Sequence, residues 1–491
     1  MEHHLSVSRR ELILRGGLAG AAAAVPGLLA KRTASATSTP RELISYPLRV
    51  SRDRRFLVDR KQVPFLIAGD APQALIVKLS EREASNYYLN RVKYGFNSLW
   101  INLVCAAPYF PTCRKDGATY DGIRPFTNFL SGARNLAHYD LTRPNRAYFD
   151  RADRMLNMAA TSGFAVFLDP IETGQWLDTL RNNGRKRCFE YGRFIARRYH
   201  RYRNIIWLNG NDFGSWSNPA DDAVVQAVAE GIQSVDPSSL QTVELLGTPS
   251  LKDPSWGKII SLNAAYTYHP TYRQMLENYN HTPTMPTFLL EAHYELENVG
   301  TPADFGTPEV VRRQAYWTML CGGAGQMYGN HFIWGFFPGW KAHLNTPGAA
   351  QFKIWKEFFT RLPWYSLVPD QDHKIITAGY GHLGTAKTAV SNSDYCTAAA
   401  TPDRHLVLAY LPTRRAVQVD ASRVGGAVQV RWFDPTSGRL VMGRGTSAAT
   451  GGRIWCSPPG RNSAGAGDWV LMVTANKSHI LHGFSSPQRD R

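Results

Sequence analysis

Two carboxylates, Asp212 and Glu291, each end a stretch that begins as a short apolar run. The runs at 205–208 and 286–290 combine β-branched, aliphatic and aromatic residues, which is typical of strands buried on both faces of a parallel sheet. Acids at the carboxyl ends of two barrel strands meet on one face of the barrel. Such a pair can hydrolyse a glycosidic bond, because one acid protonates the leaving oxygen while the other attacks carbon or activates water. The alternative for each acid is a structural ion pair at a strand end.

Polar and aromatic residues at the ends of other predicted strands are candidates for contacting a sugar. Aromatic rings stack on sugar faces and polar side chains bind hydroxyls, although most aromatic residues simply pack in a core. The predicted substrate-binding residues are Asp70, Trp216, Tyr268, His269, Tyr294, Tyr328 and Trp334. Three further acids are alternatives, namely Glu295 as nucleophile, and Asp169 and Glu172 after the third strand. No residues have the spacing of a metal motif, so we predict neither a metal nor another cofactor.

These acids need a scaffold, and residues 56–369 alternate short apolar strands with longer helical patterns. Eight such strand–helix units predict the α/β class and a (β/α)8 TIM barrel. In this count Asp212 follows the fourth strand and Glu291 the seventh. A long aromatic loop between the second strand and about Tyr148 is predicted to form part of the site wall.

Three local patterns define elements inside the barrel more closely. Ser80 followed by Glu83 is a capping box and predicts a helix start. A helix is predicted from Arg181 to Tyr202, immediately before the fourth strand. The sixth strand is predicted at 258–262 or slightly later.

The two ends of the chain have different compositions from the barrel. Residues 370–476 contain alternating strands and turn signals, which predict a small antiparallel β-sandwich, and 477–491 are predicted to be a tail. Residues 1–36 contain paired arginines, an apolar stretch and a small-residue cleavage site, which predict a twin-arginine-type signal peptide. Residues 37–55 are predicted to be a linker. An ordinary secretory signal and an uncleaved anchor are the alternatives to the twin-arginine signal.

Export through this route places the mature protein in the periplasm or outside the cell, with no stable membrane insertion after cleavage. The chain has 491 residues and a formal charge of +17, but its basic residues form only short groups, so we predict no nucleic-acid partner. No oligomeric state is predicted. Six cysteines are too few for a disulfide scaffold, and Cys105 with Cys113 and Cys396 with Cys456 are possible bridges.

Five motifs occur in the order found in one known family. They are Gly69-Asp70, the run 206–212, Tyr268-His269-Pro270, the run 291–295 and the run 325–330. On these residues the chain resembles the apiosidase-like glycoside hydrolases, glycoside hydrolase family 140, over roughly Phe56 to Thr474, including a C-terminal β domain of the collagen-binding type. Two positions depart from the family pattern, because this chain has Gly210-Asn211-Asp212 and Gly69-Asp70-Ala71.

The resemblance implies a barrel with an acid/base aspartate after strand four and a nucleophilic glutamate after strand seven, and these roles map onto Asp212 and Glu291. It also implies a furanosidic substrate, apiose- or arabinose-like, within a plant or cell-envelope polysaccharide. The expected activity is therefore that of an exported retaining glycoside hydrolase. The alternative is a non-catalytic envelope protein that binds glycans through the same cleft.

Overall fold

The computed structural model describes residues 44–298, 305–385, 387–443 and 452–475. The predicted signal peptide, residues 37–43 of the predicted linker and the predicted tail lie outside these ranges. Within them, no helix has the length and apolar character needed to cross a membrane.

Eight parallel strands form the central sheet, in the spatial order β5-β4-β3-β2-β1-β8-β7-β6. Almost every residue in them is buried, as expected for strands covered on both faces. The strands are β1 (Ile67–Asp70), β2 (Ser98–Asn102), β3 (Ala165–Asp169), β4 (Ile205–Phe213), β5 (Gln241–Leu245), β6 (Asn263–Tyr266), β7 (Thr287–Glu291) and β8 (Gly325–Tyr328). The predicted (β/α)8 barrel is confirmed, and the two acids lie on β4 and β7.

In the described part of the chain, seven α-helices longer than two turns pack around the strands, and two one-turn helices lie at Leu75–Lys78 and His331–Trp334. The seven longer helices are α1 (Glu81–Lys93), α2 (Arg146–Thr161), α3 (Thr173–Tyr199), α4 (Pro219–Val235), α5 (Thr271–Tyr279), α6 (Pro308–Leu320) and α7 (Pro347–Thr360). The capping box predicted at Ser80 and Glu83 is confirmed, since the Ser80 side chain accepts from the Glu83 amide and the Glu83 side chain accepts from the Ser80 amide.

One predicted boundary was wrong, and one predicted strand lies at the later of its two expected positions. Helix α3 begins at Thr173 rather than Arg181, and it consists of two segments that meet at Gly184, where φ is 65°. Strand β6 occupies Asn263–Tyr266, slightly later than 258–262, as the prediction allowed. The residues before β6 instead form two short 3-10 helices, Ser250–Lys252 and Pro254–Lys258, where the other units have an α-helix.

A side chain joins β5 to β6. Within the described part of the chain no strand ladder connects these two neighbours. Instead, the Ser250 hydroxyl donates to the carbonyl of Val243 at 2.6 Å and accepts from the amide of Ala264 at 2.9 Å. One hydroxyl therefore satisfies a donor and an acceptor that a ladder would otherwise pair.

The C-terminal part is an antiparallel sandwich, as predicted. Its six-stranded sheet has the order β9-β11-β12-β17-β14-β15 and faces a three-stranded sheet β10-β13-β16. Val419, Trp432 and Leu471 are fully buried in the core of this sandwich. The strands are β9 (Val368–Pro369), β10 (Ile376–Ala378), β11 (Thr397–Ala400), β12 (Leu406–Leu411), β13 (Val417–Asp420), β14 (Val428–Phe433), β15 (Leu440–Met442), β16 (Arg453–Cys456) and β17 (Trp469–Ala475).

The sandwich is bound to helix α6 of the barrel through a buried ion pair. The Arg312 guanidinium donates to both Asp468 oxygens at 2.7 Å, and both side chains are almost completely buried. Asp468 also accepts from the Tyr410 hydroxyl at 2.9 Å and from the Asn462 amide at 2.8 Å. Helix α6 lies between β7 and β8, so this contact fixes the sandwich to the part of the barrel that carries Glu291.

All six cysteines lie within the described ranges and each is a free thiol. The bridges considered for Cys105 with Cys113 and for Cys396 with Cys456 are therefore absent. Burial raises the pKa of the Cys113 thiol and of the Cys396 thiol to about 12 in each case, so both remain protonated near neutral pH.

Candidate active site

Glu291 ends β7 and is completely buried. Two tyrosine hydroxyls donate to its carboxylate, Tyr268 to Oε1 at 2.8 Å and Tyr294 to Oε2 at 3.1 Å. The Gln73 amide in turn donates to the Tyr294 hydroxyl at 3.1 Å. Hydrogen bonds from two sides fix the direction of a carboxyl group, so Glu291 is held in one orientation.

Asp212 lies in a bulge near the end of β4. The β4 segment from Asn209 to Phe213 pairs with only the β5 segment from Val243 to Leu245, so β4 contains two extra residues. Gly210, Asn211 and Asp212 have φ values of 98°, 73° and 49°. A left-handed conformation costs a residue with a side chain about 1–2 kcal/mol, so the surrounding contacts must hold this bulge in place.

Gly210 is the one residue of the bulge that must lack a side chain. A Cβ atom there would lie 2.6 Å from the Glu244 carbonyl oxygen, which is closer than real Cβ contacts. The backbone of β4 can therefore approach β5 only through glycine. This close approach brings the amide of Asp212 within reach of the Glu244 side chain.

The Asp212 carboxylate faces the loop after β2. The Tyr109 hydroxyl donates to Asp212 Oδ2, and Tyr109 is itself buried. Tyr109 belongs to the aromatic loop that was predicted to form part of the site wall. The loop therefore supplies a direct hydrogen-bond donor to this acid.

Glu244 on β5 is a third acid in the same place. Its Oε2 accepts from the Asp212 amide at 3.0 Å and from the Asn211 side-chain amide at 3.1 Å. Burial, and then the charges of Glu291 and Asp212, raise the pKa of Glu244 well above its usual range. Burial and the same two charges also raise the pKa of the neighbouring Tyr266 hydroxyl. Three carboxyl groups therefore share one small volume.

The alternative acids after β3 are also buried, at Asp169 and Glu172. Burial raises the pKa of each carboxyl well above its usual range, and for Glu172 the charge of Asp169 adds to the effect. A Cβ atom at Gly174 would touch both Glu172 and the Tyr109 ring, so Glu172 lies behind Tyr109. Asp212, by contrast, receives the Tyr109 hydrogen bond directly.

Asp70 is placed in an ion pair inside the protein. Its Oδ2 lies 2.5 Å from Arg91 Nε and accepts from the Tyr87 hydroxyl at 2.5 Å, while its Oδ1 accepts from the Ala71 amide at 2.9 Å. Asp70 and Arg91 are both completely buried. A direct contact between Asp70 and a sugar stays a prediction, and these contacts favour the structural alternative.

Glu295, the alternative nucleophile, has a similarly closed environment. It accepts from the Tyr328 hydroxyl, from Thr346 Oγ1 at 2.5 Å and from the Gly348 amide at 2.8 Å. These contacts connect β8 and the start of α7 and favour a structural role for Glu295. Tyr328 belongs to this cluster, and its predicted substrate contact remains untested.

The other predicted residues differ in exposure. Trp216 is half-buried just after β4, and His269 is exposed beside Tyr268. Trp334 is buried and packs edge-to-face on Phe110, the residue after Tyr109. Among the predicted substrate-binding residues, the structure therefore brings Tyr268 and Tyr294 directly onto Glu291.

Sequence reasoning missed four residues of the site. Glu244 follows the apolar residue Val243 at the end of a predicted strand, which is the same signal that identified Glu291. Gln73, Asn211 and Tyr109 act through contacts between distant segments, and no local pattern marks them. Within the described residues, no cluster of His, Cys, Asp and Glu could hold a metal ion.

Removing the Tyr294 hydroxyl tests how strongly the site orients Glu291. Tyr294→Phe removes one donor from Glu291 and leaves the Gln73 amide without its acceptor. A hydrogen bond to a charged group contributes about 1.5–3 kcal/mol. With a substrate identified as below, kcat/KM should therefore be roughly 10- to 100-fold lower in the variant. Tyr316→Phe is the matched control, because the buried Tyr316 hydroxyl has no hydrogen-bond partner among the described residues. Equal rates for Tyr294→Phe and the native protein would contradict an orienting role.

Two family profiles match the sequence. The profile for the apiosidase-like catalytic domain matches residues 51–366, which is most of the chain. The profile described as "Putative collagen-binding domain of a collagenase" matches residues 385–474. Comparison with curated protein sequences gives no significant match.

Several solved structures share the fold over nearly the whole chain. A glycoside hydrolase family 5 protein from Bacteroides vulgatus is 22% identical with a TM-score of 0.73, and the alignment covers 88% of this chain and 94% of that one. A second structure, titled glycoside hydrolase, is also 22% identical with a TM-score of 0.72 and covers 89% and 98% of the two chains. At this identity the likeness shows the fold alone.

Proposed function

Because the chain belongs to the apiosidase-like family and is a glycoside hydrolase, we propose that it is a retaining enzyme acting on a furanosidic, apiose- or arabinose-like linkage. Its substrate is an oligosaccharide or polysaccharide of plant or cell-envelope origin. The observation that carries the proposal is the pairing of two differently held acids, Glu291 oriented by two tyrosine hydroxyls and Asp212 presented on a bulge beside Tyr109.

In the first half of the reaction the Glu291 carboxylate attacks the anomeric carbon. A bond forms between carbon and the carboxylate oxygen as the glycosidic bond breaks, and Asp212 gives its proton to the departing oxygen. The product of this step is a glycosyl-enzyme. The hydrogen bonds from Tyr268 and Tyr294 hold Glu291 for attack, and they shift toward the remaining oxygen once the ester forms.

In the second half a water molecule attacks the same carbon. Asp212, now ionised, accepts a proton from that water, and the bond to Glu291 breaks to restore the carboxylate. Two inversions at one carbon retain the anomeric configuration. Tyr109 is placed to stabilise Asp212 in its ionised state, because its hydroxyl donates to Oδ2.

Export is a separate part of the proposal and rests on the residues at the start of the chain. Arg9-Arg10, the apolar stretch that follows and Ala34-Ser35-Ala36 form the pattern of a twin-arginine signal. Such a signal moves a folded protein into the periplasm or out of the cell. Fusing residues 1–36 to a folded reporter, with Arg9 and Arg10 changed to Lys as control, tests this part.

The activity is tested by incubating the mature protein with furanoside-containing polysaccharides and with activated aryl furanosides. We expect sugar release with retained anomeric configuration. Proton NMR of the first-formed product detects this configuration. Asp212→Asn should lose about 10²-fold on unactivated linkages and much less on an aryl furanoside, because a good leaving group needs little protonation. Inverted product would overturn the proposed mechanism. Binding without release by any variant would favour the glycan-binding alternative.

A further inference from the structure

Glu244 is a completely buried acid to which the proposed reaction assigns no step. It lies one residue from the end of β5, beside the bulge of β4. Its Oε2 is the shared acceptor for the Asp212 amide and for the Asn211 side chain. Its Oε1 has no hydrogen-bond partner among the described residues. One oxygen is thus fully used for the bulge, while the other remains available to hold a proton.

The contacts of Asn211 show how the bulge is held from both sides. The Asn102 amide on β2 donates to Asn211 Oδ1 at 2.8 Å, and the Thr173 hydroxyl donates to the Asn211 carbonyl at 2.9 Å. On the other side Glu244 accepts from Asn211 and from the Asp212 amide. Of these partners, only Glu244 touches the backbone of Asp212 itself. Glu244 therefore contributes directly to the left-handed conformation that aims the Asp212 side chain.

The charges around Glu244 are consistent with a neutral carboxyl. The titratable groups that face it are Asp212 from β4, Tyr266 from β6 and Glu291 from β7. Two of these are acids and the third is a tyrosine, so none supplies a positive charge. Burial and the two acids all raise the pKa of Glu244. Because buried like charges cannot all ionise and no cation is among these three groups, the neutral form of the Glu244 carboxyl is favoured.

We propose that Glu244 is a positioning residue, a neutral carboxylic acid that holds the β4 bulge in its left-handed conformation and thereby aims Asp212 at the scissile bond. This inference rests on the proposed function. It assigns Glu244 no contact with substrate and no proton transfer. Its neutrality keeps a third negative charge out of a site in which Glu291 is the anion.

Two substitutions at Glu244 separate positioning from charge. Glu244→Gln is neutral and keeps an acceptor oxygen, so kcat and KM should stay within about threefold of the native values. Glu244→Leu has no acceptor, so the Asp212 amide and the Asn211 side chain lose their partner and the bulge relaxes. We expect kcat to fall about 10²-fold with KM nearly unchanged, since small misplacements of a catalytic group have effects of this size. The same changes at the exposed Glu277 on α5 are the controls.

A measurement that needs no substrate tests the neutral state. A carboxyl whose pKa is raised by folding keeps its proton after the unfolded chain has lost it, so its contribution to stability declines as pH rises above the ordinary value of 4.5. Glutamine does not titrate. The Tm of Glu244→Gln relative to the native protein should therefore increase steadily between about pH 5 and pH 8. Glu277→Gln, at an exposed position on α5, is measured in parallel as the control.

The outcomes distinguish this inference from the proposed function. If the native protein releases no sugar, the proposed function fails, while the pH dependence of Tm and amide exchange at Asp212 in Glu244→Leu still report on Glu244. Loss of turnover in Glu244→Gln equal to that in Glu244→Leu would overturn the inference, because it would mean that the ionised carboxylate is needed. Full kcat in a folded Glu244→Leu, or a constant Tm difference across pH, would overturn it as well.

Discussion

Glu291→Gln should abolish turnover, reducing kcat by about 10⁴-fold or more, in the range seen when a nucleophile is removed from an enzyme that works through a covalent intermediate. The amide fits the same space, its oxygen can accept from one of the two tyrosine hydroxyls and its NH2 group can donate to the other, so the fold should persist. It cannot form the glycosyl-enzyme. The Tm should not fall, because the substitution removes a buried charge that faces two other acids. Sugar release from the purified variant and its thermal unfolding are the two measurements.

Two matched variants make the Glu291 result specific. Glu277→Gln changes an exposed glutamate on α5 and should leave activity and Tm unchanged. Glu295→Gln alters the acid bonded to Tyr328, Thr346 and Gly348 and should lower Tm more than it lowers kcat. If Glu291→Gln keeps full turnover and Glu295→Gln is inactive but stably folded, Glu295 is the nucleophile.

Arg312→Met should be the most destabilising of these substitutions, lowering the free energy of unfolding by about 3–5 kcal/mol. The variant leaves the Asp468 carboxylate buried without its cation, between the sandwich and helix α6. The remaining donors, Tyr410 and Asn462, cannot neutralise its charge. Equilibrium urea unfolding followed by tryptophan fluorescence measures the loss, and the retained activity at each urea concentration reports on the barrel.

The double variant Arg312→Met with Asp468→Asn identifies the cause. Removing both charges leaves no unpaired ion, so the double variant should recover much of the stability that Arg312→Met loses. Arg423→Met is the surface control, because the Arg423–Asp420 pair is about half exposed on the arginine side and should contribute less than about 1 kcal/mol. The stability lost by the double variant is compared with the sum of the losses in Arg312→Met and Asp468→Asn. If the two are equal, an unpaired buried charge is not the cause.

Most of the fold could be predicted from local patterns in the sequence. The buried strands of a parallel barrel are short apolar runs, so β4 and β7 and the acids on them could be located from the sequence. The start of helix α3 was placed too late because Gly174 resembles a helix breaker, whereas Gly184 lay inside the predicted helix and the chain absorbs it as a kink. The start of β6 was predicted only as 258–262 or slightly later, because its first residue, Asn263, is polar, although the structure buries it and its side chain accepts a hydrogen bond from the Leu251 amide.

The site was less predictable, because its members act through long-range contacts. Tyr294 could be expected beside Glu291, only three residues away. The donor to Asp212 comes from Tyr109, more than 100 residues distant in sequence, and only the packing of the loop after β2 brings it there. For Asp70 the sequence predicted a substrate contact, but the structure shows an ion pair. Its partner Arg91 lies on helix α1, and nothing in the strand motif indicates this pair.

Because Ser250 connects β5 to β6 through its side chain, the free energy of local opening should differ around the barrel wall. The other seven joints between neighbouring strands are backbone ladders, whereas this joint contains a side-chain hydroxyl that one bond rotation can release. Local opening has the lowest free energy where backbone hydrogen bonds are fewest. Glu244 directly follows Val243 at this joint, so we expect the wall to open most readily beside Asp212.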